Sequence, residues 1–85
     1  MFAIRYSRPA LKTLVRMPYK TALRIQRELD SIASDPNAYR GDWKRLEGVA
    51  LWRLRVADWR VICDVREREL AILVVKIGAR GDVYK

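Results

Sequence analysis

The sequence predicts an α+β domain of order β-α-α-β-β-β, with a helical hairpin packed on one face of a small, antiparallel-rich sheet. Three observations predict it. Leu51 to Cys63 alternates large apolar residues with arginines, turns at Ala57-Asp58 and alternates again, the period-two pattern of a half-buried β-hairpin. Residues 10–15 and 22–33 instead carry apolar side chains at helical spacing, with Pro18 between them. Leu70 to Val75 is continuously apolar and has the length of a strand.

Taken in order, Phe2, Ile4 and Tyr6 alternate with small or polar residues and predict a short first strand. Ser7-Arg8-Pro9 is a helix start, with a hydroxyl able to cap free N–H groups and a proline in the first turn. Ala10, Leu11, Leu14 and Val15 form one apolar stripe, and Pro18 ends that helix because its ring blocks continuation. A second helix is expected from about Tyr19 to Ser34. It turns Ala22, Ile25, Leu29, Ile32 and Ala33 inward, with Lys20, Arg24, Arg27, Glu28 and Ser31 largely around the other side. Both stripes read as core, each needing a sheet face to cover.

Asp35-Pro36-Asn37 stops the second helix, and residues 36–48 read as a loop. The loop mixes Tyr39, Arg40, Trp43, Lys44 and Arg45. Such a mixture either supplies phosphate contacts and base stacking, with Lys44 and Arg45 as nucleic-acid ligands, or tucks Trp43 beneath the loop and leaves the cations solvated.

The hairpin allows a register to be written. A two-residue turn sets Val56 opposite Trp59, Arg55 opposite Arg60, Leu54 opposite Val61 and Trp52 opposite Cys63. One face is then wholly apolar: Trp52, Leu54, Val56, Trp59, Val61 and Cys63. The other carries Arg53, Arg55 and Arg60, with Leu51 and Ile62 further along. Like charges directly opposite one another destabilise a sheet unless something anionic lies between them. The pattern therefore predicts an anion pocket. For Arg53 a plainer role is open, an ion pair with Asp64 or Glu47. Glu67-Arg68-Glu69 predicts a charged turn, followed by a third strand over 70–77 that is buried on both faces and ended by Gly78.

The 85 residues suit a single domain spanning 1–85. A net charge of +8 favours acidic partners: nucleic acid, an anionic membrane surface or an acidic protein. The single Cys63 cannot form an internal disulfide, which points to a reducing, cytoplasmic setting, and its place on the apolar face makes it a core filler. No run reaches transmembrane length, and no signal peptide or membrane partner is expected. Histidine is absent, which removes the commonest general base and nitrogen metal ligand together. The four glycines match no phosphate loop, so no metal or cofactor is expected.

Three stretches together carry a family resemblance: Lys44-Arg45-Leu46-Glu47-Gly48, the Leu51–Val61 hairpin, and the ending Ile77-Gly-Ala-Arg-Gly-Asp-Val-Tyr84. In this order of elements the chain resembles the RelE/ParE toxin superfamily over nearly its whole length, and within it the RelE-like branch. The resemblance implies a RelE-like fold and a toxin of a type II toxin–antitoxin pair. It also implies a ribosome-dependent endonuclease that cuts mRNA in the ribosomal A site, with the substrate's 2′-hydroxyl as nucleophile. The catalytic positions of that branch fall on Arg53, Arg55, Arg60, Arg80 and Tyr84. The implied partners are a cognate antitoxin, in a hetero-oligomer, and the message.

Two departures qualify what is carried over. The best-known enzyme of the branch has lysines where this chain has Arg53 and Arg55, and arginine is too basic to accept a proton, though it clamps phosphate well. Tyr84 is then the candidate base or acid, since adjacent positive charge favours a phenolate. One residue follows Tyr84, so no C-terminal helix is expected over the site. Two other readings share the fold: a ParE-like inhibitor that poisons DNA gyrase by binding, and a module whose arginine face only meets an acidic antitoxin. In the plainest reading Arg80 is a solvated loop residue and Tyr84 an anchor packed on the sheet.

Overall fold

A computed structural model describes residues 1–79. The elements are β1 (Ala3–Tyr6), α1 (Arg8–Arg16), α2 (Tyr19–Ser34), β2 (Trp43–Arg45), β3 (Trp52–Val56), β4 (Trp59–Arg66) and β5 (Ala71–Ala79). The strands form one five-stranded sheet in the order β1-β5-β4-β3-β2. β1 runs parallel to its neighbour β5, and every other pair is antiparallel. The two helices form the link between β1 and the rest of the sheet, as a parallel neighbour requires a crossover rather than a tight turn.

Ser7 sets the start of α1. Its Oγ accepts from the Ala10 N–H at 3.2 Å and donates to the Val75 carbonyl at 2.6 Å, so one hydroxyl caps the helix and ties it to β5. Ser7→Ala is expected to cost about 1–2 kcal/mol, the worth of a cap plus a half-buried hydrogen bond. Urea unfolding with an unchanged m-value measures it; a loss below about 0.3 kcal/mol would mean the hydroxyl does neither job.

α2 buries the predicted face, with Ala22, Ile25, Leu29, Ile32 and Ala33 all in the core. α1 buries less than predicted. Ala10 and Leu14 are inside, joined by Met17 at the C-cap, but Leu11 is 48% exposed and Val15 77%. Only one row of this short helix meets the sheet, and positions 11 and 15 lie a step around the helix from it.

The helix-facing side of the sheet supplies Leu54, Val56, Val61, Cys63, Ile72, Val74 and Ile77, all buried. Burial pushes the Cys63 thiol up to about 12, so it packs as a neutral, small apolar group.

Three expectations about the second half of the chain are corrected. β5 is not buried on both faces: Ile72, Val74 and Ile77 are, while Leu73 and Val75 are half-buried and Lys76 is exposed. The helices cover one side of the sheet only. The turn before β5 extends through Leu70, which is exposed at φ +50°, and the strand continues past Gly78, which pairs with Arg60. The stretch read as a loop contains β2, whose Trp43 pairs with Leu54 and stacks on Trp52 at 5.1 Å between ring centroids.

Candidate nucleic-acid interface

The β3–β4 pairing is the one written from the turn: Val56 faces Trp59, Arg55 faces Arg60, Leu54 faces Val61 and Trp52 faces Cys63. Ala57 takes a left-handed φ of 54° to make the two-residue connection. Since cross-strand partners point to the same side, Arg53, Arg55 and Arg60 share the face turned away from the helices. Pairing extends that face in two rows. Lys44 on β2, Arg53, Ile62 and Lys76 on β5 form one, and Arg55, Arg60 and Gly78 form the other.

The two nucleic-acid candidates of the loop part company. Lys44 lies opposite Arg53 on the arginine face, whereas Arg45 pairs with Trp52 and so falls on the helix side. Trp43 is on that side too, half-buried against the core and stacked on Trp52. Its ring serves as packing beneath the loop. Arg80 and Tyr84 lie outside the described residues.

Arg53 has an acidic partner, but neither of those expected. Its Nη2 lies 2.5 Å from Asp42 Oδ1, and its side chain is only 17% exposed. The Arg53 Nε is buried and has no hydrogen-bond partner among the described residues. Asp42 reaches this place because Trp43 pairs with Leu54, which sets the preceding residue beside β3; the Arg55 N–H donates to the Asp42 carbonyl at 2.9 Å. Asp64 is engaged elsewhere, with Arg66 Nε at 3.1 Å, and Arg66 also reaches Glu69 at 3.6 Å.

The two shifted tyrosines among the described residues are not poised for proton transfer. Tyr39 donates its hydroxyl to the Glu28 carboxylate, tethering the loop to α2; burial first, and then that bond, push its pKa far above the ordinary value. Tyr6 is raised as well, by burial and then by the charge of Asp30. What the face offers is fixed positive charge with planar, multidentate donors, suited to holding an anion and to stabilising charge that develops on it. Among the described residues no group of three or more His, Cys, Asp or Glu side chains could hold a metal ion. No described helix is long and apolar enough to cross a membrane.

Sequence reasoning missed Asp42 and Lys76. For Lys76 a signal existed. Strict alternation from Ile72 and Val74 would put a lysine in the core and Ile77 outside. A bulge at Ile62/Cys63, where Val75 is passed over in the pairing, reverses the parity and sets both right. Asp42 carries no local signal, because its position depends on a three-residue strand.

The archaeal RelE–RelB complex from Pyrococcus horikoshii is similar at 26% identity and a TM-score of 0.81, over 95% of this chain and 97% of that one. The isolated E. coli RelE toxin is similar in fold at 16% identity and a TM-score of 0.80, covering 99% and 92%. A YoeB/ParE toxin from Agrobacterium tumefaciens gives 15% identity and a TM-score of 0.78, covering 93% and 99%. No match is found among curated protein sequences. The family model for the ParE toxin of type II toxin–antitoxin systems matches residues 4–84. That span runs from β1 through the arginine hairpin and beyond β5, so the chain belongs to the ParE toxin family, within the RelE/ParE superfamily of type II toxin–antitoxin toxins.

Proposed function

We propose that this toxin is a ribosome-dependent mRNA endonuclease whose arginine face holds the scissile phosphate in the A site. The observation that carries the reading is the direct opposition of Arg55 and Arg60, with Arg53 in the next row of the same face. Two guanidiniums set against each other cost stability in the free protein, and a phosphodiester between them turns that repulsion into binding. Arg53, Arg55 and Arg60 stabilise the extra charge on phosphorus as the 2′-oxygen, losing its proton, attacks and the bond to the 5′-oxygen breaks. This leaves a 2′,3′-cyclic phosphate and a 5′-oxygen that takes up a proton to become a hydroxyl; Lys44 takes a neighbouring phosphate. Arg80 adds a further phosphate ligand and Tyr84 handles a proton; both roles follow the family pattern. The ribosome orients the message, which relieves so small an enzyme of much of the entropic cost of alignment. No metal or cofactor takes part.

The toxin works in the cytoplasm and is neutralised by a cognate antitoxin in a hetero-oligomer. Support comes from the RelE–RelB complexes of Pyrococcus horikoshii and E. coli, which share the fold.

A second reading, inhibition of DNA gyrase without chemistry, is favoured by the ParE description of the matching family. One experiment separates them. Purified protein is added to a defined message with and without ribosomes, and to a gyrase supercoiling assay. Cuts confined to A-site codons, only with ribosomes, are expected. Blocked supercoiling with an intact message would overturn the nuclease reading in favour of the second.

A further inference from the structure

We infer that Asp42 is a positioning residue for the arginine face, holding the Arg53 guanidinium where it meets the scissile phosphate; the inference rests on the endonuclease reading above. A carboxylate inside a phosphate site is costly if the site only binds, because it repels the substrate and neutralises a cation. Asp42 is nevertheless built in firmly. Its Oδ1 holds Arg53 Nη2, its carbonyl accepts from the Arg55 N–H, and the Trp43 N–H that follows it donates to the Gly41 carbonyl at 3.0 Å. The loop is fastened again upstream through Tyr39 and Glu28.

Asp42 is thus anchored to the same strand as the arginine it holds. The long arginine side chain is fixed before substrate arrives, so its rotamer entropy need not be lost in the transition state. Planar guanidinium chemistry allows this division of labour. Nη2 donates to Asp42 and Nε is buried without a partner among the described residues, so in this inference the other terminal N–H groups are the ones that meet a phosphate.

Because Asp42 repels the bound message and helps only by orienting Arg53, its loss separates binding from turnover. Asp42→Ala is expected to leave KM for ribosome-bound message unchanged or lower, while kcat falls about 10- to 100-fold. Asp42→Asn keeps an acceptor oxygen and is expected to fall in between. In an Arg53→Ala background, Asp42→Ala is expected to add no further loss of kcat, since the group it orients is gone.

The experiment is this double-mutant cycle on ribosome-programmed message, with circular dichroism and thermal unfolding confirming that each variant folds; Asp42→Asn carries the cycle if the alanine variant does not. Non-additive losses in kcat support the inference. Equal losses with and without Arg53, or a loss confined to KM, would overturn it while the endonuclease reading stands. A message left intact by the wild-type protein removes the endonuclease reading and this inference with it.

Discussion

Arg60→Ala is expected to abolish growth arrest and to lower mRNA cleavage about 10²- to 10³-fold, the usual cost of losing one preorganised donor to transition-state charge. The same substitution should leave the fold intact, because Arg60 faces Arg55 on the side away from the core. Removing one of two opposed cations relieves repulsion, so stability is expected to stay level or rise by up to about 1 kcal/mol. Single-turnover cleavage and urea unfolding of the same preparation check both halves. A variant that loses activity and stability together would show that Arg60 is a structural residue, and the anion site would then need another explanation. Few positions should give activity and stability of opposite sign, which makes this a sharp test of why the arginines face one another.

Leu29→Ala is expected to cause the largest loss of stability on α2, about 3–5 kcal/mol. Leu29 is fully buried, in a core that also includes Ile25, Ile32, Leu54 and Val74. A domain of this size has only about 5–10 kcal/mol in total, so the melting temperature should fall by more than about 10 °C. Val15→Ala is the control. With 77% of its surface exposed, Val15 should change stability by less than about 0.5 kcal/mol, although sequence periodicity assigns it to the same kind of stripe. Calorimetry on the two variants measures the contrast. Equal effects would mean that α1 has a buried face the architecture does not show.

The hairpin and α2 were legible in the sequence for the same reason. Each is specified by interactions among near neighbours: period-two alternation with a two-residue turn, and an apolar row repeating every three or four residues. The arginine face was legible because its anomaly is local. Arg55 and Arg60 lie five positions apart, and the turn between them fixes their meeting. Arg53 was found, but its acidic partner was not. Asp64 and Glu47 were plausible by charge alone, while Asp42 comes to Arg53 through the pairing of Trp43 with Leu54.

The bulge on β5 shows the same limit. A lysine falling at a core position signals a break in the alternation, but where Lys76 and Ile77 end up is set by a shift in register against β4. By itself, then, the sequence determined the two helices, the hairpin and its register, the inward Cys63 and the three arginines on one face, since each follows from contacts across a few residues. Tertiary structure alone decided that β1 pairs with β5 in parallel, that α1 buries only a single row, that Trp43 packs while Lys44 faces the arginines, and that Asp42 anchors Arg53. Those outcomes depend on surfaces brought together from distant parts of the chain, where which partner arrives, rather than local propensity, sets the lowest free energy.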